Sequence, residues 1–161
     1  MSRYFLYTFI TVILIIIQTT VVKLISLEGI TPDLLVIWVV YLTLIEGQFS
    51  GTIIGFCVGL LFDLMTGSFI GLSALTKTIC GFLTGYFFNE NKTKLVLGSY
   101  RFLLIVVMTS FIHNVLYFII FTRGSEIGLL AAIFQFGFTT TLYTAAVTLI
   151  PIFIFARKVA I

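Results

Sequence analysis

Gly51, Gly55 and Gly59 recur four residues apart, and the next step of four lands on Asp63. A second series with the same step, Ser73, Lys77, Gly81 and Gly85, follows in the next apolar stretch, with a lysine inside the small-residue run. On an α-helix, positions four apart stack on one face, so each series is a narrow stripe of small or ionisable residues on a greasy cylinder. Small side chains let two backbones approach closely, and buried charges must be paired, so such stripes pack against other helices rather than face hydrocarbon. Gly51, Gly55, Gly59, Gly81 and Gly85 are therefore expected to form a helix-packing face or to receive a partner's helix.

The surroundings of these stripes set the fold class. Sixty per cent of the chain is hydrophobic and 9% is charged, a balance that leaves too little polar surface to cover a soluble domain. Apolar segments fall at about 4–25, 32–47, 50–65, 69–88, 101–122 and 127–156, separated by short polar breaks. The expected fold is all-α: a polytopic integral membrane protein, one transmembrane domain over residues 1–161, built as a six-helix bundle. With almost nothing left outside the spans, function has to reside in the bundle or its short loops. The first segment has 19 uncharged residues, Tyr4 to Val22, and no small-x-small cleavage site before Lys23, so it reads as a retained helix rather than a signal peptide.

Lysine and arginine placement orients the bundle. With six spans, one side carries Arg3, Lys92, Lys94, Arg101, Arg157 and Lys158, and the other only Lys23 and Arg123. The positive-inside rule then puts both termini in the cytoplasm. Tyr4, Tyr7, Tyr86 and Tyr100 fall at the inner ends of their segments, where interfacial aromatics belong. The net charge of +3 follows from this topology and from contact with anionic lipid; beyond Lys92 and Lys94 no basic cluster points to nucleic acid.

The central segments are short. Thr31-Pro32-Asp33 reads as a helix start, with Thr31 as N-cap, Pro32 at the first helical position and Asp33 at the positive end of the dipole. From Leu34 to Ile45 there are 12 uncharged residues, about 18 Å of helix against a hydrocarbon core of about 30 Å. Either Glu46 is carried into the inner interface or neighbouring helices shield the segment. The next helix, opened by Ser50 as N-cap, is similarly brief before Asp63 and the Thr66-Gly67-Ser68 turn. Pro151 is placed to kink the long last segment or to end its buried part.

The inventory of reactive groups is small. His113, Cys57 and Cys80 make no metal site of known spacing, and no HExxH, nucleophile elbow or phosphate loop is present; no cofactor and no catalytic set is expected. The cysteines, both in spans, read as small packing residues, and the Asn91-Lys92-Thr93 sequon falls in a loop expected to be cytoplasmic. Asp63 and Lys77 stand out, because an ionisable group inside a membrane costs about 2.5–3.5 kcal/mol unless paired, hydrated or able to snorkel. Asp63 with Lys77 forms an ion pair between adjacent helices, or Asp63 sits at the outer interface while Lys77 snorkels, or the two mark a transport path. His113 and Asn114 read as polar glue between helices, with a proton relay as the other reading; Ser110, Asn114 and Tyr117 lie near one helical face.

Four ordered motifs carry a family resemblance: Pro32-Asp33-Leu34-Leu35; Tyr41-x-x-Leu44-x-Glu46-Gly47; Gly51-x-x-x-Gly55-Phe56-x-x-Gly59-Leu60-x-x-Asp63; and Gly67-x-x-x-Gly71-Leu72-x-Ala74-Leu75 followed by Gly81 and Gly85. Together they resemble the bacterial rod-shape-determining MreD family, with length and segment number fitting over the rest of the chain. The resemblance implies a non-enzymatic inner-membrane subunit of the cell-elongation machinery. Its implied partner is the bitopic protein MreC, alongside MreB filaments, the glycosyltransferase RodA and a class B penicillin-binding protein in peptidoglycan synthesis. It also implies a fold similar to the substrate-binding subunits of energy-coupling-factor vitamin transporters, which makes a transporter S-component the alternative function. Lys77 is not carried by the motifs and rests on membrane energetics alone.

Overall fold

The computed structural model describes residues 2–24, 30–67, 69–121 and 132–159. Within them the chain forms seven α-helices: α1 (Ser2–Leu24), α2 (Leu34–Glu46), α3 (Gln48–Thr66), α4 (Leu72–Gly85), α5 (Thr93–Leu97), α6 (Tyr100–Phe121) and α7 (Phe138–Val159), the last entered through a π-helical stretch, Ala132–Gly137. Four are long and apolar enough to cross a membrane: Arg3–Val22 in α1, Gln48–Thr66 in α3, Tyr100–Ile120 in α6, and Ile133–Phe155 across the π-helical stretch and α7. The protein is thus an all-helical membrane bundle. Residues 25–29, Ser68, Arg123 and Glu126, and the side chains of Lys23, Lys94, Arg157 and Lys158, on which parts of the loop and charge reading rest, lie outside the described residues.

The short helix α2 is the axis of the bundle. Eight of its 13 residues are buried, and α1, α3, α4, α6 and α7 all pack on it. Its length of about 20 Å is tolerated because neighbouring helices cover most of it. Val36, Val40 and Leu44 on one side join Phe102, Ile105 and Val106 of α6, while Leu35 and Val39 on the other join Ile15 of α1 and Val58 of α3. Glu46 ends α2 and is not stranded: it accepts a hydrogen bond from the Tyr7 hydroxyl at 3.0 Å, with Arg3 Nη1 at 3.9 Å. The start of α1 therefore lies beside the end of α2, and the two run antiparallel.

Three helix starts differ from the sequence expectation. Asp33, not Thr31, is the N-cap of α2: its Oδ1 accepts from the Val36 N–H at 3.0 Å, which leaves Thr31 and Pro32 ahead of the helix. The N-cap of α3 is Gly47, not Ser50. A single residue thus joins α2 to α3, and that reversal needs φ of +90°, a conformation glycine adopts without the Cβ clash other residues meet. Helix α4 spans only 14 residues, starting at Leu72 rather than near Phe69. The loop expected after Tyr86 contains α5, whose Val96 and Leu97 are buried in the α2–α6 core. Helix α7 continues through Pro151 to Val159. Cys80 is buried, but Cys57 faces outward, so only Cys80 fills an interior position.

Candidate functional site

Helices α3 and α4 form an antiparallel hairpin along the two small-residue stripes. A Cβ placed on Gly55 would collide with the Lys77 carbonyl oxygen, one on Gly59 with the Ser73 carbonyl and Ala74, one on Gly81 with the Gly51 carbonyl, and one on Gly85 with Gln48. Gly51 additionally lies against the Thr43 side chain of α2. Each glycine thus marks a point where one backbone touches another chain segment of the same molecule.

At the turn end of this hairpin lies Asp63, fully buried. Its Oδ2 accepts from the N–H groups of Gly71 at 2.9 Å, Ser73 at 3.1 Å and Ala74 at 3.3 Å, and Oδ1 takes Ser73 at 3.2 Å. The first N–H groups of any helix lack intrahelical acceptors, and Gly71 has no side chain to cap α4. Asp63 does this from the neighbouring helix and sets a negative charge at the positive end of the α4 dipole. The four-residue step from Gly59 to Asp63 is what delivers it there.

Lys77 is 2% exposed, so its ammonium is held inside rather than drawn to an interface. The partner the structure gives it is Asp33, at 3.1 Å from Nζ to Oδ2, and not the Asp63 that helix adjacency offered. The ammonium also lies 5.3 Å from the centre of the Phe62 ring, a favourable cation–π distance. His113 Nε2 of α6 approaches the same Asp33 oxygen at 3.2 Å. One carboxylate thus caps α2, pairs with α4 and holds α6. Its own backbone N–H donates to Thr144 Oγ1 of α7 at 3.0 Å. On the preceding residue, the Pro32 carbonyl accepts from Gln18 Nε2 of α1 at 2.9 Å, while Gln18 Oε1 accepts the Leu34 N–H at 3.0 Å. Five helices are therefore tied to Pro32-Asp33-Leu34.

Further along α6, Asn114 Nδ2 donates to the Gly137 carbonyl at 3.2 Å and to Thr141 Oγ1 at 3.0 Å, joining α6 to the π-helical entry of α7. Thr84 and Thr109 share a hydrogen bond at 3.2 Å between α4 and α6. Ser110 Oγ and His113 Nδ1, buried on the same face, have no hydrogen-bond partner among the described residues. Gln18 and Thr144 were missed from sequence; the signal for Gln18 was a long amide side chain in the apolar run of α1, whereas Thr144 is one of several threonines spaced along α7.

Among the described residues, no group of three or more His, Cys, Asp or Glu side chains is arranged to hold a metal ion. Gln18, Asp33, Lys77, His113, Asn114 and Thr144 each bond to another part of the bundle, which makes them a set of internal ties. The family model that matches is the one described as rod shape-determining protein MreD, over residues 1–159. No curated protein and no solved structure matches the chain.

Proposed function

Since the chain belongs to the MreD family and has a role in rod shape determination, we propose that it is a non-enzymatic scaffold subunit of the bacterial cell-elongation complex. In this reading it sits in the inner membrane, binds MreC, and helps couple MreB filaments to peptidoglycan synthesis by RodA and a class B penicillin-binding protein. Six helices cross the bilayer, the short α2 and α4 completing the four long ones, with both termini in the cytoplasm. The antiparallel pairing of α1 with α2, tied at both ends, supports the alternation this requires.

The observation that carries the scaffold reading is how the ionisable interior is used. Asp33, Lys77 and His113 bond to one another, and Asp63 bonds to the backbone of α4, so these groups hold helices together rather than converge on a cavity. A vitamin-binding S-component, the alternative, needs several polar groups aimed into a pocket. The test is purification of the tagged chain from native membranes with mass spectrometry of everything retained. Recovery of MreC with the chain is expected; a retained vitamin-like ligand with no bitopic partner would move the function to transport.

A further inference from the structure

Beneath the ties at Pro32-Asp33-Leu34, a cleft lies between α1 and α7. Gln18 holds α1, and Thr144 holds α7, to the start of α2. Toward the other end this open cleft of about 440 Å³ separates them, floored by α2 and Phe102 of α6. Its walls include Tyr7, Ile10, Trp38, Tyr41, Ile150 and Phe155. Trp38 stacks on Tyr41 at 5.4 Å between ring centres, and Tyr41 on Phe155 at 5.3 Å. Two of the polar handles are already bound to protein: Trp38 Nε1 donates to Thr11 Oγ1 at 2.9 Å, and the Tyr7 hydroxyl donates to Glu46. What remains for an occupant is a hydrocarbon surface with the Tyr41 hydroxyl.

The dimensions select among apolar occupants. From Leu6 to Leu14 the cleft follows about 12 Å of α1. A transmembrane helix would have to continue through both leaflets. The lining stops at Leu14, Leu34 and Val147, so the cleft spans less than half of a hydrocarbon core about 30 Å thick. Those are the proportions of acyl chains from one leaflet.

Charge supplies the rest. On α1 the stripe Ile10, Tyr7 and Leu6 reaches Arg3 in the next turn, a residue whose side chain is 70% exposed. On α7 the cleft-lining residues Val147, Pro151 and Ile154 run toward the end of the helix whose sequence contains Arg157 and Lys158. Glu46, near this end of the cleft, is already held by Tyr7 and lies beside Arg3. Basic residues at the cytoplasmic mouth of an apolar gap between helices attract anionic lipid headgroups.

We propose that this cleft is a binding site for an anionic phospholipid of the inner leaflet, its acyl chains between α1 and α7 and its phosphate at the end carrying Arg3 and Lys158. The leaflet rests on the topology proposed above; the lipid class does not. The full chain, purified in detergent, is examined by native mass spectrometry after addition of phosphatidylglycerol or phosphatidylcholine with identical chains. Retention of phosphatidylglycerol at least about tenfold above phosphatidylcholine is expected, and Arg3→Ala with Lys158→Ala should lower it by at least about fivefold. Ile150→Trp, which fills the cleft, should expel the lipid, whereas Leu64→Trp on the outward face of α3 should not. Wild-type protein gives an independent readout: a phosphatidylglycerol with a photoreactive acyl chain should crosslink to the peptides containing Ile10 and Ile150. Equal retention of the two lipids, crosslinks elsewhere only, or a stoichiometric protein chain in the cleft with no lipid would each overturn the proposal. Detergent has no leaflets, so labelling of a cysteine at the N-terminus in intact cells reports separately on the topology.

Discussion

Asp33 shows how one residue can set several helices at once. Its carboxylate caps α2 and meets both Lys77 and His113, and its N–H meets Thr144. Removing one member of a buried ion pair leaves the other uncompensated, typically at a cost of about 3–5 kcal/mol, whereas removing both costs less than the sum. Lys77→Met is therefore expected to lower the unfolding midpoint in detergent sharply. Asp33→Asn combined with Lys77→Met should be more stable than addition of the single effects gives, because asparagine still caps α2. Strict additivity in that double-mutant cycle would dissolve the pair. Asp63 is predicted to act through the backbone at the start of α4. Asp63→Ala removes acceptors for three backbone N–H groups and should cost about 3 kcal/mol, while Asp63→Asn, which keeps one acceptor oxygen, should fall between it and the wild type in the same assay.

Among the elements, the α3–α4 hairpin is the part most sensitive to added atoms. Gly55 and Gly59 face backbone rather than the movable tip of a side chain, so even a methyl group has nowhere to go without separating the helices. Gly55→Leu and Gly59→Leu should fail to accumulate in membranes, and Ile53→Leu, on the outward face of the same helix, should accumulate normally. A Gly59→Leu protein that assembles at wild-type levels would mean that this face is not a packing face. At the α2–α3 reversal a different mechanism applies. Gly47→Ala meets only ordinary contact with Phe88 but is forced to φ of +90°, so it should destabilise by about 1–2 kcal/mol from backbone strain alone. Comparison of unfolding midpoints for Gly47→Ala and Gly59→Ala separates the two causes, since the second meets collision and should be the more damaging.

For the whole molecule, the distribution of lysine and arginine predicts one orientation. Reporter fusions at either terminus, or within residues 89–92, should read cytoplasmic, and fusions in the loop after α1 should read external. An external terminus would break the six-span arrangement, because the antiparallel pairing of α1 with α2 and of α3 with α4 leaves no freedom to reverse one helix alone.

Helical character, membrane residence and family were legible in the order of residues, because each depends on local spacing: apolar runs set span length, and four-residue steps place small groups on one face. The same spacing picked out Asp63, Lys77, His113 and Asn114 as interior polar residues. Pairing was not legible, because a side chain's partner depends on which helices are neighbours and at what depth. Asp33 lies 44 positions from Lys77 and 80 from His113, in a segment that reads as an ordinary helix start. Only the packing of α4 and α6 around α2 brings them to one oxygen. Tertiary contact also moved the start of α2 to the residue with the best-placed carboxylate and buried α5 beneath an expected loop. It set the cleft as well, which lies between α1 and α7 over the face of α2 that both pack against.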